Sequence, residues 1–555
     1  MLRIGNCSGF YGDRFSAMRE MLDGGALDVL TGDYLAELTM LILARDRARD
    51  ANVGYAKTFL RQMEECMGLA LERGVKIVAN AGGLNPVGLA DALRALASRL
   101  GLSAHIAHVE GDDLLRRASE LGLGKPLAAN AYLGGWGIAA CLSAGADVVV
   151  TGRVTDASLV VGPAAAHFGW AREDYDALAG AVAAGHVIEC GAQATGGNYS
   201  NFTSIADLRH PGFPIAEIES DGSSVITKHA GTGGAVIRGT VTAQLLYEVA
   251  GARYPNPDVT LRLDTVSLSA DGADRVRLSG ARGETPPPTL KVSLNTLGGY
   301  RNEVEFVLTG LDIEAKAALV QAQLGVPDAE WTLVRTDRPD APTEEQASAL
   351  LRCVVRGSDP ARVGRAFSNA AVELALGSYP GCHLTAPPGD ASPYGVFTPG
   401  YVDAKVVDHT AVLWDGTRVP IEPASSTQSL EAVDESPVPL WFGGAPTRSV
   451  PLGTVADARS GDKGGTANVG VWARDARAWP WLASTLTVGL LRQLLPEAAS
   501  LPIERHVLPN LHAVNFVIQG LLGLGVAYNA RFDPQAKGLG EWLRSRYVDV
   551  PEELL

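Results

Sequence analysis

Cysteine is scarce and unpaired in this chain of 555 residues. None of the six cysteines has a partner at CxxC spacing; they stand at positions 7, 66, 141, 190, 353 and 382. Zinc sites and disulfide frameworks normally show closer pairs, so the sequence predicts neither. Such cysteine usage is typical of a reducing compartment, and we expect a cytoplasmic protein.

Positive charge and long hydrophobic runs are also in short supply. The chain has 47 Lys and Arg against 62 Asp and Glu, which gives a formal net charge of −15. A nucleic acid partner needs a large basic patch, so we expect none. The longest apolar runs, such as Leu38–Ala44 and Val154–Ala166, end well short of the about 18 residues that a membrane helix needs. The sequence therefore predicts no membrane segment.

Several cofactor and catalytic signatures are missing. The chain has no GxGxxG dinucleotide fingerprint, no Walker A loop, no GxSxG elbow and no HExxH motif. We therefore predict no cofactor and no metal ligand set. A metal site made from scattered His, Asp and Glu side chains stays open as an alternative.

What the chain does contain points first to more than one domain, because hydrophobic cores stop growing near roughly 250–300 residues. Residues 1–223 alternate short β-like runs with helical stretches, which is typical of a parallel sheet with crossover helices. The predicted strands are Leu2–Gly5, Ala26–Thr31, Lys76–Asn80, Ser103–Val109, Leu127–Ala131, Asp147–Thr151 and His186–Ile188. The predicted helices between them include Tyr55–Arg73 and Pro86–Leu100.

The pattern changes after residue 223. Residues 224–377 combine alternating, half-buried strands with the predicted helices Ile313–Leu324 and Glu344–Arg356, which indicates an α+β part. Residues 378–445 are rich in Pro, Gly and Ser and predict an irregular connection. Residues 449–555 follow the order β-β-α-β-β-α, which suits a small α+β domain after a large N-terminal region, 1–445. The predicted fold class is α/β.

Polar and glycine-rich segments follow several of the predicted parallel strands. Because ligands bind at the carboxyl ends of strands in open α/β sheets, we expect these segments to form one pocket. Its candidate residues for substrate binding are Ser8, Gly9, Asp13, Asn80, Gly82, Gly83, Asn85, Thr151, Gly152 and Arg153. A tight strand-to-helix turn is the alternative for Asn80–Asn85, and a loop-stapling ion pair is the alternative for Arg153 and Asp156.

Three carboxylates are the candidate catalytic groups: Asp33, Glu37 and Asp156. The segment after the second predicted strand is expected to open a helix, so Asp33 and Glu37, four residues apart, would share one face of it. Two such carboxylates suit general acid and base roles when burial or repulsion separates their pKa values. In the alternative, Asp33 caps the helix and Glu37 is solvated.

A further candidate segment begins the C-terminal domain. Ser460, Asp462 and Lys463 lie on a glycine-flanked stretch that offers one acid and one cation. We predict a loop there that closes over the first-domain pocket, since pockets are common at domain interfaces. A plain hairpin turn is the alternative.

Several segments together resemble the acyclic terpene utilisation (AtuA-like) family. They are Ile4–Asp13, Asp28–Thr39, Lys76–Pro86, Val150–Leu159, Gly191–Asn198, Ala458–Gly464, Leu508–Leu511 and Asn515–Phe516. The resemblance implies that the C-terminal domain has a ferredoxin-like fold. It also implies a role in bacterial breakdown of acyclic terpenoid acids through coenzyme A thioesters, with coenzyme A as part of the substrate.

The leading functional hypothesis is an enzyme that acts on a branched or terpenoid acyl-CoA, or on the free acid, by redox-neutral proton transfer. Hydratase or other lyase chemistry is favoured. One alternative is a non-catalytic accessory subunit or scaffold for a neighbouring acyl-CoA carboxylase, and another is a thioester hydrolase. We also expect a homo-oligomer, because soluble oligomers are most often symmetric homomers.

Overall fold

The structure, a computed structural model, describes residues 1–431, 433, 437–441, 443–444 and 446–555. The predicted connection 378–445 therefore falls partly outside the described residues. By their internal contacts the described residues form two compact units. Unit 1 comprises Met1–Asn295, Phe397–Gly525 and Gln535–Leu555, and unit 2 comprises Thr296–Val396 and Val526–Pro534.

The first part of unit 1 contains thirteen strands and eight helices among its described residues. The strands are β1 (Leu2–Asn6), β2 (Val29–Gly32), β3 (Lys76–Ala79), β4 (Ile106–Glu110), β5 (Ala128–Ala131), β6 (Val148–Thr151), β7 (Pro214–Ile218), β8 (Ser224–Lys228), β9 (Arg253–Pro255), β10 (Thr260–Arg262), β11 (Ser267–Ala270), β12 (Val276–Ser279) and β13 (Arg282–Glu284). The helices are α1 (Ala17–Gly24), α2 (Thr39–Arg49), α3 (Lys57–Arg73), α4 (Pro86–Leu100), α5 (Trp136–Ser143), α6 (Ser158–Phe168), α7 (Tyr175–Ile188) and α8 (Arg238–Leu246).

The remaining elements belong to unit 2 and to the later part of unit 1. In order they are β14 (Thr289–Thr309), α9 (Ile313–Leu324), β15 (Glu330–Val334), β16 (Ser348–Gly357), α10 (Phe367–Glu373), β17 (His383–Leu384), β18 (Ser392–Asp403), β19 (Thr410–Val412), β20 (Arg418–Pro420), β21 (Thr447–Pro451), β22 (Ala456–Lys463), β23 (Thr466–Ala473), α11 (Trp479–Thr485), α12 (Val488–Leu494), β24 (Ile503–Leu508), β25 (Ala513–Ile518), α13 (Leu539–Ser545) and β26 (Tyr547–Pro551).

The main sheet of unit 1 has a parallel centre with antiparallel margins. Its order is β11-β12-β8-β7-β1-β2-β3-β6-β4-β19-β20. The neighbours from β1 to β4 in this order pair in parallel, whereas β7 and β19 add on in antiparallel register. The central strands, such as β6 with all four residues buried, read as continuous apolar runs because helices cover both faces. The predicted α/β fold class is confirmed.

The C-terminal part of unit 1 forms an antiparallel sheet in the order β22-β23-β25-β24, with a hydrophobic core of its own. The helices α11, α12 and α13 pack on this core through side chains such as Trp481, Leu491 and Leu543. The predicted α+β domain is therefore present. By their internal contacts, residues 456–525 belong to the same compact unit as Met1–Asn295.

Two predicted elements are wrong. The predicted strand His186–Ile188 is the end of α7, in which every residue from Leu178 to Ile188 is buried, so no polar face marks the helical period. The predicted helix Glu344–Arg356 is largely the strand β16, which pairs with β14 on one side and β15 on the other. Its buried residues Ala349, Leu351 and Cys353 alternate with the period of a strand.

The predicted irregular connection also contains regular structure. The strands β17, β18, β19 and β20 all lie between residues 378 and 445, and β19 extends the main sheet by pairing with β4. Among the described residues, no helix is both long and apolar enough to cross a membrane.

Candidate functional site

The candidate site lies at one edge of the main sheet. The strands β1, β2, β3 and β6 are parallel neighbours, so the segments that follow them leave the sheet at the same edge. Direct contacts join these segments. The backbone N–H of Asp33 donates to the Ser8 carbonyl at 2.9 Å, and Asp33 and Asn80 are hydrogen-bonded through their side chains.

Asp33 is buried and held by two donors. Its Oδ1 accepts hydrogen bonds from Asn80 Nδ2 at 2.6 Å and from the backbone N–H of Leu35 at 2.9 Å. The side-chain oxygen of Asn80, Oδ1, in turn accepts from the backbone N–H of Tyr34 at 2.7 Å, which fixes the side-chain amide. Burial, with the neighbouring carboxylate of Asp156, raises the pKa of Asp33 well above its usual range. Buried carboxyl groups with a raised pKa are common among general acids and bases.

The expected helix over Asp33 and Glu37 is wrong. The segment after β2 is irregular, with a turn at Glu37 and Leu38, and α2 begins only at Thr39. The carboxylate of Asp33 accepts from the N–H two residues ahead, which stabilises a local turn in place of the first helical turn. Asp33 and Glu37 therefore do not share a helix face.

Arg153 is buried at the end of β6 and makes three kinds of contact. Its Nη1 lies 3.0 Å from Asp156 Oδ1 and donates to the Leu35 carbonyl at 2.6 Å. Its guanidinium lies over the Tyr132 ring, 4.4 Å from the centroid. The backbone N–H of Arg153 donates to Asp112 Oδ2 at 2.8 Å, and burial raises the pKa of Asp112 to about 7. Arg153 thus connects the segments that follow β2, β4 and β6.

The C-terminal sheet reaches this edge through the turn after β22. The backbone N–H of Gly464 donates to Glu37 Oε2 at 3.0 Å, and Lys463 Nζ donates to the Glu248 carbonyl at 3.0 Å. Burial, with the carboxylates of Glu248 and Glu37, raises the pKa of Asp462 to about 7. Ser460, Asp462 and Lys463 belong to β22 itself, so the prediction that they form a loop is wrong. Only Gly464 and Gly465 make the turn.

Glu248 follows α8 in a backbone conformation that non-glycine residues adopt rarely, with φ of 58°. Two asparagines of the C-terminal sheet hold this segment. Asn468 accepts from the N–H of Glu248 at 2.9 Å, and Asn515 donates to the Val249 carbonyl at 2.8 Å. Asn468 also donates to Asn515. The strained segment is therefore fixed by the C-terminal sheet, and its carboxylate adds to the charges at the site.

The sequence analysis missed several buried groups of the site. His186 Nδ1 lies 3.0 Å from Glu189 Oε1 at the end of α7. Lys291 Nζ lies 4.9 Å from the Tyr132 centroid and 5.2 Å from that of Phe397, and burial lowers its pKa. The i,i+3 spacing of His186 and Glu189 would have signalled a shared face had α7 been predicted. Lys291 carries no such local signal.

Glycines among the predicted site residues permit close approaches. A Cβ on Gly82 would lie 2.5 Å from the Thr151 carbonyl oxygen, and one on Gly9 would lie 2.8 Å from backbone of Cys190, next to Glu189. A Cβ on Gly152 would lie 2.3 Å from Asp112 Oδ1. Gly83 has φ of 54° in the turn. Because these residues have no Cβ, the loops at the sheet edge can pack closely against one another.

Other predicted residues have local structural contacts. Asn85 caps α4 by accepting from the N–H of Gly88, and it lines an open cleft of about 320 Å³ together with Asp112. Asp13 accepts from the N–H of Gly9 at 2.8 Å, and the Ser8 hydroxyl donates to the Phe10 carbonyl. Ser460 Oγ accepts from the N–H of Gly540. Thr151 donates to the carbonyl of the following residue.

Burial raises the pKa of the Cys7 thiol, so this cysteine, at the end of β1, is not an activated nucleophile. Over the part of the chain that the structure describes, no group of three or more His, Cys, Asp or Glu side chains is arranged to hold a metal ion.

Two sequence models of known families match the chain. The model described as acyclic terpene utilisation family protein AtuA matches residues 2–413, well over half of the chain. The chain belongs to the AtuA family. The AtuA ferredoxin-like domain matches residues 450–549, which confirms the ferredoxin-like fold expected for the C-terminal domain. No curated protein and no solved structure matches the chain significantly.

Membership of the AtuA family indicates involvement in acyclic terpene utilisation. The first AtuA match ends at residue 413, in the last part of the main sheet, and the second covers the sheet that contributes Lys463, Gly464 and Asn468. Residues from both matched regions thus meet at the edge that carries Asp33 and Arg153.

Proposed function

We propose that this AtuA-family chain is an enzyme that acts on a branched or terpenoid acyl-CoA, or the free acid, by redox-neutral proton transfer of the hydratase or lyase type. The supporting observation is the environment of Asp33. Its carboxyl group is buried, both donors bind one oxygen, and its pKa is raised well above the usual range. A carboxyl group whose pKa is raised by burial suits general acid or base catalysis.

Each neighbouring group has a proposed part in this reaction. Asp33 adds the proton to a carbon atom of the substrate or removes it from that atom. Arg153, with Lys463, supplies positive charge for the anionic part of the substrate, and Asp156 keeps the guanidinium in place. Glu37 fixes the turn at Gly464, so the C-terminal sheet forms one wall of the site. Electrostatic groups that are fixed in this way before the reaction need no reorganisation during it.

The test is to incubate the purified full chain in deuterium oxide with a panel of branched enoyl-CoA and hydroxyacyl-CoA esters, followed by mass spectrometry. We expect gain or loss of water, or incorporation of deuterium next to the carbonyl group, for at least one ester. Asp33→Asn should show none of these changes. Release of free coenzyme A without them would replace the proposal by thioester hydrolysis. An unchanged panel would contradict it.

A further inference from the structure

His186 and Glu189 form a buried pair at the end of α7. Glu189 follows the helix with helical backbone angles, so the i,i+3 spacing places both side chains on one face. His186 Nδ1 lies 3.0 Å from Glu189 Oε1, and the side chains are 2% and 10% exposed. The second carboxyl oxygen, Glu189 Oε2, is buried without a hydrogen-bond partner among the described residues.

The pair belongs to the same charged cluster as Arg153. The groups that act electrostatically on Glu189 are the carboxylates of Asp156 and Glu248 and the cations Lys463 and Arg153. His186 packs on the Tyr254 ring with centroids 4.9 Å apart. Burial, with the carboxylates of Asp156 and Glu248, raises the pKa of Glu189 well above its usual range. Burial, with Lys463, lowers the pKa of His186 to about 4.

The surroundings favour the neutral form of both partners. Burial lowers the pKa of His186 to about 4 and raises the pKa of Glu189. His186 Nδ1 and Glu189 Oε1 share one hydrogen bond, which leaves Oε2 as the second oxygen of the carboxyl group. Because a buried polar atom without a partner is costly, Glu189 Oε2 is the atom of the pair that is available to a ligand.

We infer that Glu189 is the proton donor to an oxygen atom of the substrate and that His186 is its positioning residue. The inference rests on the proposed function and adds a substrate class, namely acyl compounds with a hydroxyl group on the carbon next to the one that Asp33 deprotonates. The carboxyl proton of Glu189 moves to the hydroxyl oxygen, the C–O bond breaks and water leaves, so Glu189 ends the step as a carboxylate. Asp33, which enters the step as a carboxylate, takes the hydrogen from the adjacent carbon as a proton, and the electrons of that C–H bond form the C=C bond.

The first test needs no substrate. Infrared spectra of wild type and Glu189→Gln at neutral pH report the C=O stretch of protonated carboxylic acids, which is separate from that of carboxylates. Wild type should show intensity that Glu189→Gln lacks, and the exposed control Glu65→Gln should leave the spectrum unchanged. Equal spectra for wild type and Glu189→Gln would mean that Glu189 is ionised, which overturns the inference whatever the enzyme acts on.

The second test uses any ester that wild type converts. Glu189→Gln keeps an acceptor for His186 but carries no acidic proton, so kcat/KM should fall by at least about 10²-fold, with Glu65→Gln unchanged. His186→Asn retains a donor near the Nδ1 position and should keep the wild-type pH profile, whereas His186→Leu should shift it. Retention of most activity by Glu189→Gln would overturn the inference. Inactivity of wild type on the whole panel would contradict the proposed function. The infrared spectra would then show, independently of any substrate, whether Glu189 carries the proton that the inference requires.

Discussion

The two compact units differ in where their charged side chains lie. In unit 2, Glu303 is 49% exposed and pairs with Arg352 on the neighbouring strand at 2.6 Å and with Arg301 on its own strand at 3.0 Å. Partial burial opposes ionisation of Glu303, but hydrogen bonds from these arginines prevail and lower its pKa. In unit 1, Asp33 and Glu189 are buried, and burial raises the pKa of each. Charge in unit 2 is paired at the surface, whereas unit 1 keeps carboxyl groups where their ionisation is costly.

This difference indicates where chemistry is done. Exposed ion pairs contribute little to stability and are screened by salt. A buried carboxyl group without a full set of partners is costly, and such groups concentrate at functional sites. The comparison can be tested by substitutions in both units.

The largest effect is expected for Asp33→Asn. The asparagine Oδ1 still accepts from Asn80 and Leu35, so the free energy of unfolding should stay within about 1 kcal/mol of wild type. The proton that Asp33 exchanges is lost, so turnover of any ester that wild type converts should be abolished. Chemical denaturation and the mass-spectrometric assay measure the two quantities. Loss of stability together with turnover would assign Asp33 a structural role.

Arg153→Ala should have the second largest effect, on stability. The substitution leaves Asp156 and Asp33 without their buried cation, and breaking a buried pair costs about 3 kcal/mol or more. Denaturant unfolding of Arg153→Ala and of the double variant Arg153→Ala/Asp156→Asn should show partial recovery in the second protein. If substrate binding is measured in folded protein, Arg153→Ala should raise KM more than it lowers kcat. Equal stability of wild type and Arg153→Ala would count against this account of the site.

Asp258 tests whether a buried carboxyl group of unit 1 makes the stability of the protein depend on pH. Burial raises the pKa of Asp258 to about 6, although the N–H of Gly135 donates to its Oδ2. The folded state therefore holds this proton more tightly than the unfolded state, and stability falls as pH rises from about 4 through about 6. Asp258→Asn removes this loss. The variant should gain about 2–3 kcal/mol relative to wild type between pH 4 and pH 8, as measured by denaturant unfolding.

A constant difference between Asp258→Asn and wild type across that pH range would show that the carboxyl group is ionised throughout. Unit 1 would then not differ from unit 2 in holding carboxyl groups whose ionisation is costly.

Glu303→Gln in unit 2 should have the smallest effect. The exposed pairs with Arg352 and Arg301 are worth no more than about 1 kcal/mol, and the difference from wild type should shrink as salt is added. Turnover should be unchanged. A loss of stability of several kcal/mol that persists at high salt would remove the contrast between the units.

Local sequence patterns predicted the parallel centre of the main sheet well. The predicted helix Pro86–Leu100 agrees with α4, because Asn85 and Pro86 mark its start and Gly101 its end. The edge that joins Asp33, Asn80 and Arg153 follows from the rule that parallel strands leave a sheet at one side.

The rest of the site depends on information that local patterns do not carry. With His186 assigned to a strand, His186 and Glu189 would point to opposite faces, so the error in α7 concealed the pair. Glu248 and Lys291 reach the site only through the packing of distant segments. For Glu248 that packing is supplied by Asn468, 220 residues further along the chain.

The hydrogen bonds between the C-terminal sheet and the site have a consequence for biosynthesis. Asn515 binds the carbonyl of Val249, 266 residues earlier, and Gly464 binds Glu37, 427 residues earlier. At roughly 5–20 residues per second, translation separates the two partners by tens of seconds. During that time Glu37 and the Val249 carbonyl lack these partners. A translation product that stops before Gly464 therefore lacks the wall of the site that the C-terminal sheet provides.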